Sequence, residues 1–124
     1  MFTACALELS GQRVLIVEDE YFAAEAMTAA VRSGGGEVVG PVASVEDALK
    51  LLEGGERLDA AILDVNLAGD KVFPVAHALR LHDVPIVFVT GYDDWIIPQE
   101  YDDVPVFRKP ADPDNVVRLL FERG

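Results

Sequence analysis

Short apolar runs alternate along the chain with stretches in which apolar residues recur at helical spacing. Five runs stand out, each rich in branched residues: "RVLIV" at 13–17, "EVVGPV" at 37–42, "AAILDV" at 60–65, "PIVFVT" at 85–90 and "VPVFR" at 104–108. Their length and branching predict strands, and the near-continuous hydrophobicity of "AAIL" predicts burial on both faces, as in parallel sheets. After the first run, Phe22, Ala26, Ala29 and Ala30 are spaced to share a helical face, which ends at "SGGG", residues 33–36. After the second, Ser44 and Asp47 read as an N-cap with a reciprocal carboxylate, ahead of Ala48, Leu49 and Leu52. Val72, Val75, Ala76 and Leu79 predict a further helix after the third run. The closing "DPDNVVRLLFERG" puts Pro113 and acids in its first turn and basic residues in its last, the polarity that a helix dipole favours.

This alternation predicts an α/β fold built from right-handed βαβ units, with a parallel sheet covered by helices on both faces. One connection breaks the pattern. "GYDDWIIPQEYDD", residues 91–103, has Pro98 in its middle and four aspartates, and only Trp95, Ile96 and Ile97 read as core-facing. A proline inside a helix costs about 3 kcal/mol, so the fourth helix is expected to be short, broken or mobile. "SGGG" and the "GG" at 54–55 do not lie between a strand and a following helix, so they read as helix ends rather than phosphate-cradling loops.

Composition narrows the function classes. With 124 residues, 51% of them hydrophobic, the chain is expected to form one domain: residues 1–11 as an N-terminal extension and 12–124 as a single unit. Ten basic residues against twenty-two acidic ones leave a net charge of −12, a field that repels nucleic-acid backbones and anionic membrane surfaces. The single cysteine, Cys5, cannot form an internal disulfide, and "MFTACALELS" lacks the basic start and apolar length of a signal peptide. No run approaches the roughly 20 apolar residues of a membrane helix. A cytoplasmic protein is expected.

Candidate chemistry gathers at the carboxyl ends of the predicted strands, where open α/β sheets bind their ligands. Glu18, Asp19 and Glu20 follow the first strand, Asp64 closes the third, Thr90 and Gly91 follow the fourth, and Lys109 and Pro110 follow the fifth. A carboxylate at the end of a buried strand costs several kcal/mol unless a cation or hydrogen bonds compensate it. Crowded carboxylates call for a cation, and carboxylate, carbonyl and water ligands suit Mg²⁺. Asp64 could then act as a nucleophile toward phosphorus, with Mg²⁺, Thr90 and Lys109 placed to neutralise the charge on a phosphoryl group. Taken singly, Lys109 reads as a surface lysine, Thr90 as a strand residue and the acid run as a helix N-terminus. Their coincidence at one sheet edge carries the functional reading.

The stretches "VLIVEDE", "AAILDVNL", "VFVTG" and "FRKP" resemble the four signature motifs of the response-regulator receiver domain of two-component signalling. The resemblance runs from about Arg13 to the end of the chain. It implies a flavodoxin-like, doubly wound five-stranded sheet of order 2-1-3-4-5. It implies that Asp64 accepts a phosphoryl group from a phosphohistidine, and that Glu18, Asp19, Asp64 and the backbone carbonyl of Asn66 hold Mg²⁺. Thr90 would hydrogen-bond the phosphoryl oxygen, Lys109 would pair with it, and the Lys109–Pro110 bond would be cis. Such a protein is a signalling phosphoacceptor and not an enzyme with an outside substrate. Its partners would be a sensor histidine kinase and a downstream protein, with no nucleic acid and no membrane.

Departures from the family pattern are Val106, where an aromatic switch residue is common, and Ala111, where the residue after Lys-Pro is commonly aromatic. "PIVFVTGYDD" is similar to the subgroup whose fourth strand reads Phe-Ala-Thr-Gly followed by Gly or Tyr (FATGUY), with Val89 replacing alanine. That likeness implies a stand-alone receiver served by histidine kinases of the HWE and related classes. A small Mg²⁺-dependent phosphatase resembling the haloacid dehalogenase group would place its nucleophile on the first strand as Asp-x-Asp, which Asp64-Val65-Asn66 does not match. A degenerate receiver that binds partners without phosphorylation is opposed by the intact acids, Thr90 and Lys109.

Overall fold

Alternation along each strand sends successive side chains to opposite faces of the sheet, and here both faces are covered. A computed structural model of the protein describes residues 8–91 and 97–122. Strand β1 (Arg13–Val17) leads into helix α1 (Tyr21–Ser33), β2 (Glu37–Val42) into α2 (Val45–Glu53), and β3 (Ala60–Asp64) into a small hairpin of β4 (Asn66–Leu67) and β5 (Asp70–Lys71). Helix α3 (Phe73–Leu81), β6 (Ile86–Thr90), β7 (Val106–Arg108) and α4 (Pro113–Glu122) complete the order. The main sheet is β2-β1-β3-β6-β7, parallel throughout. Counting only its five strands, this is the expected order 2-1-3-4-5, and the fold is that of a flavodoxin-like receiver. Among the described residues, no helix is long and apolar enough to cross a membrane.

Two apolar layers result. Leu15, Val17, Leu63 and Phe88 point to the side of α2 and α3, packing with Ala48, Val75 and Leu79. Val14, Ile16, Ile62, Val87 and Val89 point to the other side, meeting Met27 and Val31 of α1 and Val116 and Leu120 of α4. Leu9, ahead of the first strand, is 1% exposed in this second layer, and its N–H donates to the Gly34 carbonyl at 2.7 Å.

Several local expectations hold and others change. The Ser44 hydroxyl accepts from the Asp47 N–H at 3.1 Å, capping α2 as its sequence predicts. Helix α1, however, buries Ala24, Met27 and Val31, with Ala30 partly buried beside them; of the expected face, Ala26 and Ala29 are exposed and Phe22 is 74% exposed. The larger Met27 and Val31 remove more apolar area from water than a stripe of alanines would, and they fix the rotation of the helix. The last turn of α4 carries no basic residue as far as Glu122, with Arg118 one turn back at 3.8 Å from that glutamate. The hairpin of β4 and β5 has no counterpart in the periodicity of the sequence. It turns through Ala68 (φ 53°) and Gly69 (φ 99°), the left-handed pair that a tight hairpin needs.

Of the connection from β6 to β7, the structure describes Gly91 and residues 97–105, where no α-helix is formed and Pro98 precedes a single helical turn. Trp95 and Ile96 lie outside the described residues; Ile97 packs partly buried on the α2–α3 layer, and Gln99–Tyr101 form a single helical turn. Contrary to the reading of this segment as poor in core contacts, Tyr101 is 3% exposed. The fifth strand also starts later than expected, because Val104 donates its N–H back to the Tyr101 carbonyl at 3.0 Å.

Candidate functional site

The sheet brings Glu18, Asp64, Thr90 and Lys109 to one edge because β1, β3, β6 and β7 are parallel neighbours that end there together. Asp64 is the last residue of β3 and is 3% exposed; Thr90, the last residue of β6, is equally buried, and Glu18 follows β1 at 7%. Asp19 is exposed at the mouth. Carboxylate oxygens of Glu18, Asp19 and Asp64 all lie within 4.8 Å of one another. Glu20, the remaining acid of that run, is exposed, and its backbone N–H donates to a Glu18 carboxylate oxygen at 3.0 Å.

Lys109 reaches across the edge. Its Nζ donates to Asp64 Oδ2 at 2.9 Å and lies 3.0 and 3.1 Å from the two oxygens of Glu18. The backbone fixes this reach, since the Lys109 N–H donates to the Thr90 carbonyl at 2.8 Å; the Lys109–Pro110 bond is cis. The other oxygen of Asp64, Oδ1, accepts the Asn66 N–H at 3.2 Å, and the Asn66 side-chain oxygen accepts from the Gly69 N–H at 3.1 Å. The hairpin therefore holds the backbone that leaves Asp64. The Thr90 hydroxyl donates to the Gly91 carbonyl at 3.2 Å.

Burial raises the Glu18 carboxyl to about 7, helped by its hydrogen bond and charge contact with Asp64, while the Glu20 N–H and Lys109 pull it back. Burial also acts to lower the Lys109 ammonium, but hydrogen bonds to Asp64 and Glu18 outweigh it, and the group titrates above its ordinary value. Three carboxylates thus face one ammonium, and the cluster is short of positive charge. A donor set of crowded carboxylates fits a hard divalent cation, Mg²⁺ in particular.

Residues flagged as departures take separate places. Val106 pairs with Phe88 across β6 and β7 and is 44% exposed, whereas Phe107 points to the opposite side and packs partly buried on the α1–α4 layer with Ala111. Sequence reasoning missed Tyr101 and Arg80. The Tyr101 ring stacks on Phe73 (5.6 Å between centroids) and meets Phe88 edge-on at 5.5 Å. The Arg80 guanidinium lies 5.4 Å from the centre of the tyrosine ring and pairs with Asp103 at 3.1 Å. The signal that could have found the pair is an aromatic residue stranded in an otherwise acidic, proline-broken connection.

The chain matches the response regulator receiver domain over residues 14–120. It is 30% identical over 112 residues to sensory transduction protein LytT of Bacillus subtilis (strain 168), covering 87% of this chain and 46% of LytT. The chain spans less than half the length of the curated relatives it matches, 46% and 41%. Among solved structures, the solution structure of SdrG from Sphingomonas melonis Fr1 is 41% identical with a TM-score of 0.76, covering 86% of this chain and 91% of that one. The BeF3-activated conformation of SdrG from Pseudomonas melonis Fr1 is 40% identical with a TM-score of 0.71, covering 90% and 94%. Shared motifs, strand order and matched length agree: the chain belongs to the response regulator receiver domain family of two-component signalling.

Proposed function

We propose that this receiver accepts a phosphoryl group on Asp64 from a phosphohistidine of a sensor histidine kinase, in a Mg²⁺-dependent reaction, and signals by binding a downstream protein. The observation that carries the reading is the Lys109 ammonium held between Asp64 and Glu18 at the buried sheet edge. Membership in the receiver family supports phosphoryl acceptance on an aspartate, and Asp64 is the aspartate that ends a buried strand beside further acids.

In the proposed step an Asp64 oxygen attacks phosphorus. The new O–P bond forms as the N–P bond breaks, and the departing imidazole nitrogen keeps the electron pair and takes a proton. Lys109, already paired with Asp64, stays beside the incoming negative charge, and the Thr90 hydroxyl exchanges the Gly91 carbonyl for a phosphoryl oxygen. Glu18, Asp19, Asp64 and the Asn66 backbone carbonyl would hold Mg²⁺. Bound there, Mg²⁺ supplies the positive charge that the acid cluster lacks and neutralises charge on the transferred group.

The chain turns over no outside substrate in this reading; it promotes only its own phosphorylation and dephosphorylation. The "VFVTGY" stretch supports a stand-alone receiver of the FATGUY kind served by an HWE-class kinase, and the single Cys5 supports a reducing, cytoplasmic setting. Incubation with a panel of purified histidine kinases, scored by the fastest transfer to Asp64, tests the reading. Preferred transfer from an HWE-class kinase supports it, and equal, slow transfer from all classes contradicts the kinase assignment.

A further inference from the structure

The Tyr101 ring touches both walls of the phosphoryl site from behind. On one side it meets Phe88, which shares a sheet face with Thr90 two residues further along β6. On the other it stacks on Phe73, the first residue of α3, and its hydroxyl donates to the Phe73 carbonyl at 3.3 Å. Phe73 follows Val72, whose N–H donates at 2.9 Å to the carbonyl of Val65, the neighbour of Asp64. One buried ring is therefore packed against the strand that ends in Thr90 and against the helix start tied to the turn that leaves Asp64.

The ring is held from outside as well. Arg80 faces it at 5.4 Å, donates to the Glu100 carbonyl at 3.4 Å and pairs with Asp103 at 3.1 Å, so the helical turn carrying Tyr101 is clamped to α3. Val106, the partner of Phe88 on β7, is small and 44% exposed, and the ring contacts of Phe88 are made with Phe73 and Tyr101.

We propose that Tyr101, clamped by Arg80, is a positioning residue for the phosphoryl site: it sets the spacing between the Thr90 strand end and the Asp64 turn. The inference rests on Asp64 being the phosphoacceptor. Tyr101 acts through Thr90 and touches none of the reacting atoms. A packed ring can transmit position because a core this dense resists small displacements.

The test measures the rate at which Asp64 is labelled by phosphoramidate with Mg²⁺ at saturating donor, read by intact mass, in the wild type, Tyr101→Leu, Tyr101→Phe, Thr90→Ala and the double variant Thr90→Ala/Tyr101→Leu. Tyr101→Leu is expected to slow labelling about 2- to 30-fold. Tyr101→Phe keeps the ring and should restore most of the rate. In the Thr90→Ala background, Tyr101→Leu should change nothing further, because a residue acting through Thr90 has no effect without it. Mg²⁺ affinity should stay within about 2-fold, and Leu120→Ala in the opposite apolar layer should lower the melting temperature without the rate loss. If Tyr101→Leu does not fold, Arg80→Gln loosens the same clamp from the surface and should slow labelling in the same direction. An unchanged rate in folded Tyr101→Leu or Arg80→Gln, or full additivity with Thr90→Ala, overturns the proposal while the phosphoacceptor assignment stands. A wild type unlabelled at Asp64 overturns both.

Discussion

Lys109 and Asp64 are 45 positions apart in sequence, yet the lysine Nζ lies 2.9 Å from the aspartate carboxylate, at the ends of strands that are not neighbours in the sheet. The contact spans β6, whose terminal Thr90 carbonyl holds the Lys109 backbone in place. A charge pair built across a strand in this way is a consequence of parallel topology: every strand delivers its last residue to the same edge.

Removing that ammonium leaves Glu18 and Asp64 buried and facing each other. Lys109→Met is expected to lower stability by about 1–3 kcal/mol near pH 8, and by less at about pH 5, where protonation relieves the repulsion. Urea unfolding at the two pH values checks this. Equal losses at both would show that packing of the lysine stem, not its charge, matters.

Glu18 makes a prediction for the unmodified protein. Its carboxyl is raised from 4.5 to about 7, so the folded state holds the proton more tightly than the unfolded chain. The stabilising contribution is therefore complete below 4.5 and disappears as pH climbs through about 7. Over that window stability should fall with rising pH by up to about 1.4 kcal/mol per unit from this group. Glu18→Gln should flatten the slope, as should saturating Mg²⁺. A slope unchanged in Glu18→Gln would assign the dependence to other groups.

Asp19 sits at the exposed mouth of the acid cluster, where a metal ligand can be removed without opening the core. Asp19→Asn is expected to weaken Mg²⁺ binding at least about tenfold, to abolish Mg²⁺-dependent labelling and to leave the fold intact. Titration followed by calorimetry measures the affinity. Wild-type labelling in Asp19→Asn would remove Asp19 from the site.

The hairpin after Asp64 offers a test of backbone strain. Ala68 takes φ 53°, which costs a residue with a β-carbon about 1 kcal/mol. Ala68→Gly should be neutral or stabilising by up to about 1 kcal/mol, since relief of strain competes with the greater freedom of glycine in the unfolded chain. A clear loss of stability in thermal unfolding would mean that the alanine methyl makes a contact that outweighs its strain.

Much of this arrangement is legible in the sequence because it rests on local patterns. Continuous apolar runs point to the strands of the main sheet, and the polar residues at the ends of four of them, Glu18, Asp64, Thr90 and Lys109, meet at one edge. The cis bond at Lys109–Pro110 followed from the family resemblance and stands in the structure. What escaped is set by packing between segments distant in sequence. The buried face of α1 depends on which side chains are large enough to fill the space under β1 and β3, so Met27 and Val31 displaced the alanine stripe. The β4–β5 hairpin is too short for any periodicity to register. Tyr101 looked like part of a solvated acidic connection, and only Phe73 and Phe88, 28 and 13 positions away, make it a core residue.

The phosphoacceptor role of Asp64 is tested most directly by intact-mass and peptide-mapping spectrometry after incubation with phosphoramidate and Mg²⁺, on the wild type and on Asp64→Asn. The account predicts one phosphoryl group on the wild type, mapped to the peptide containing Asp64, lost when Mg²⁺ is chelated, and absent from a folded Asp64→Asn protein. Full labelling of Asp64→Asn at another residue, or labelling of the wild type that is indifferent to Mg²⁺, would contradict it.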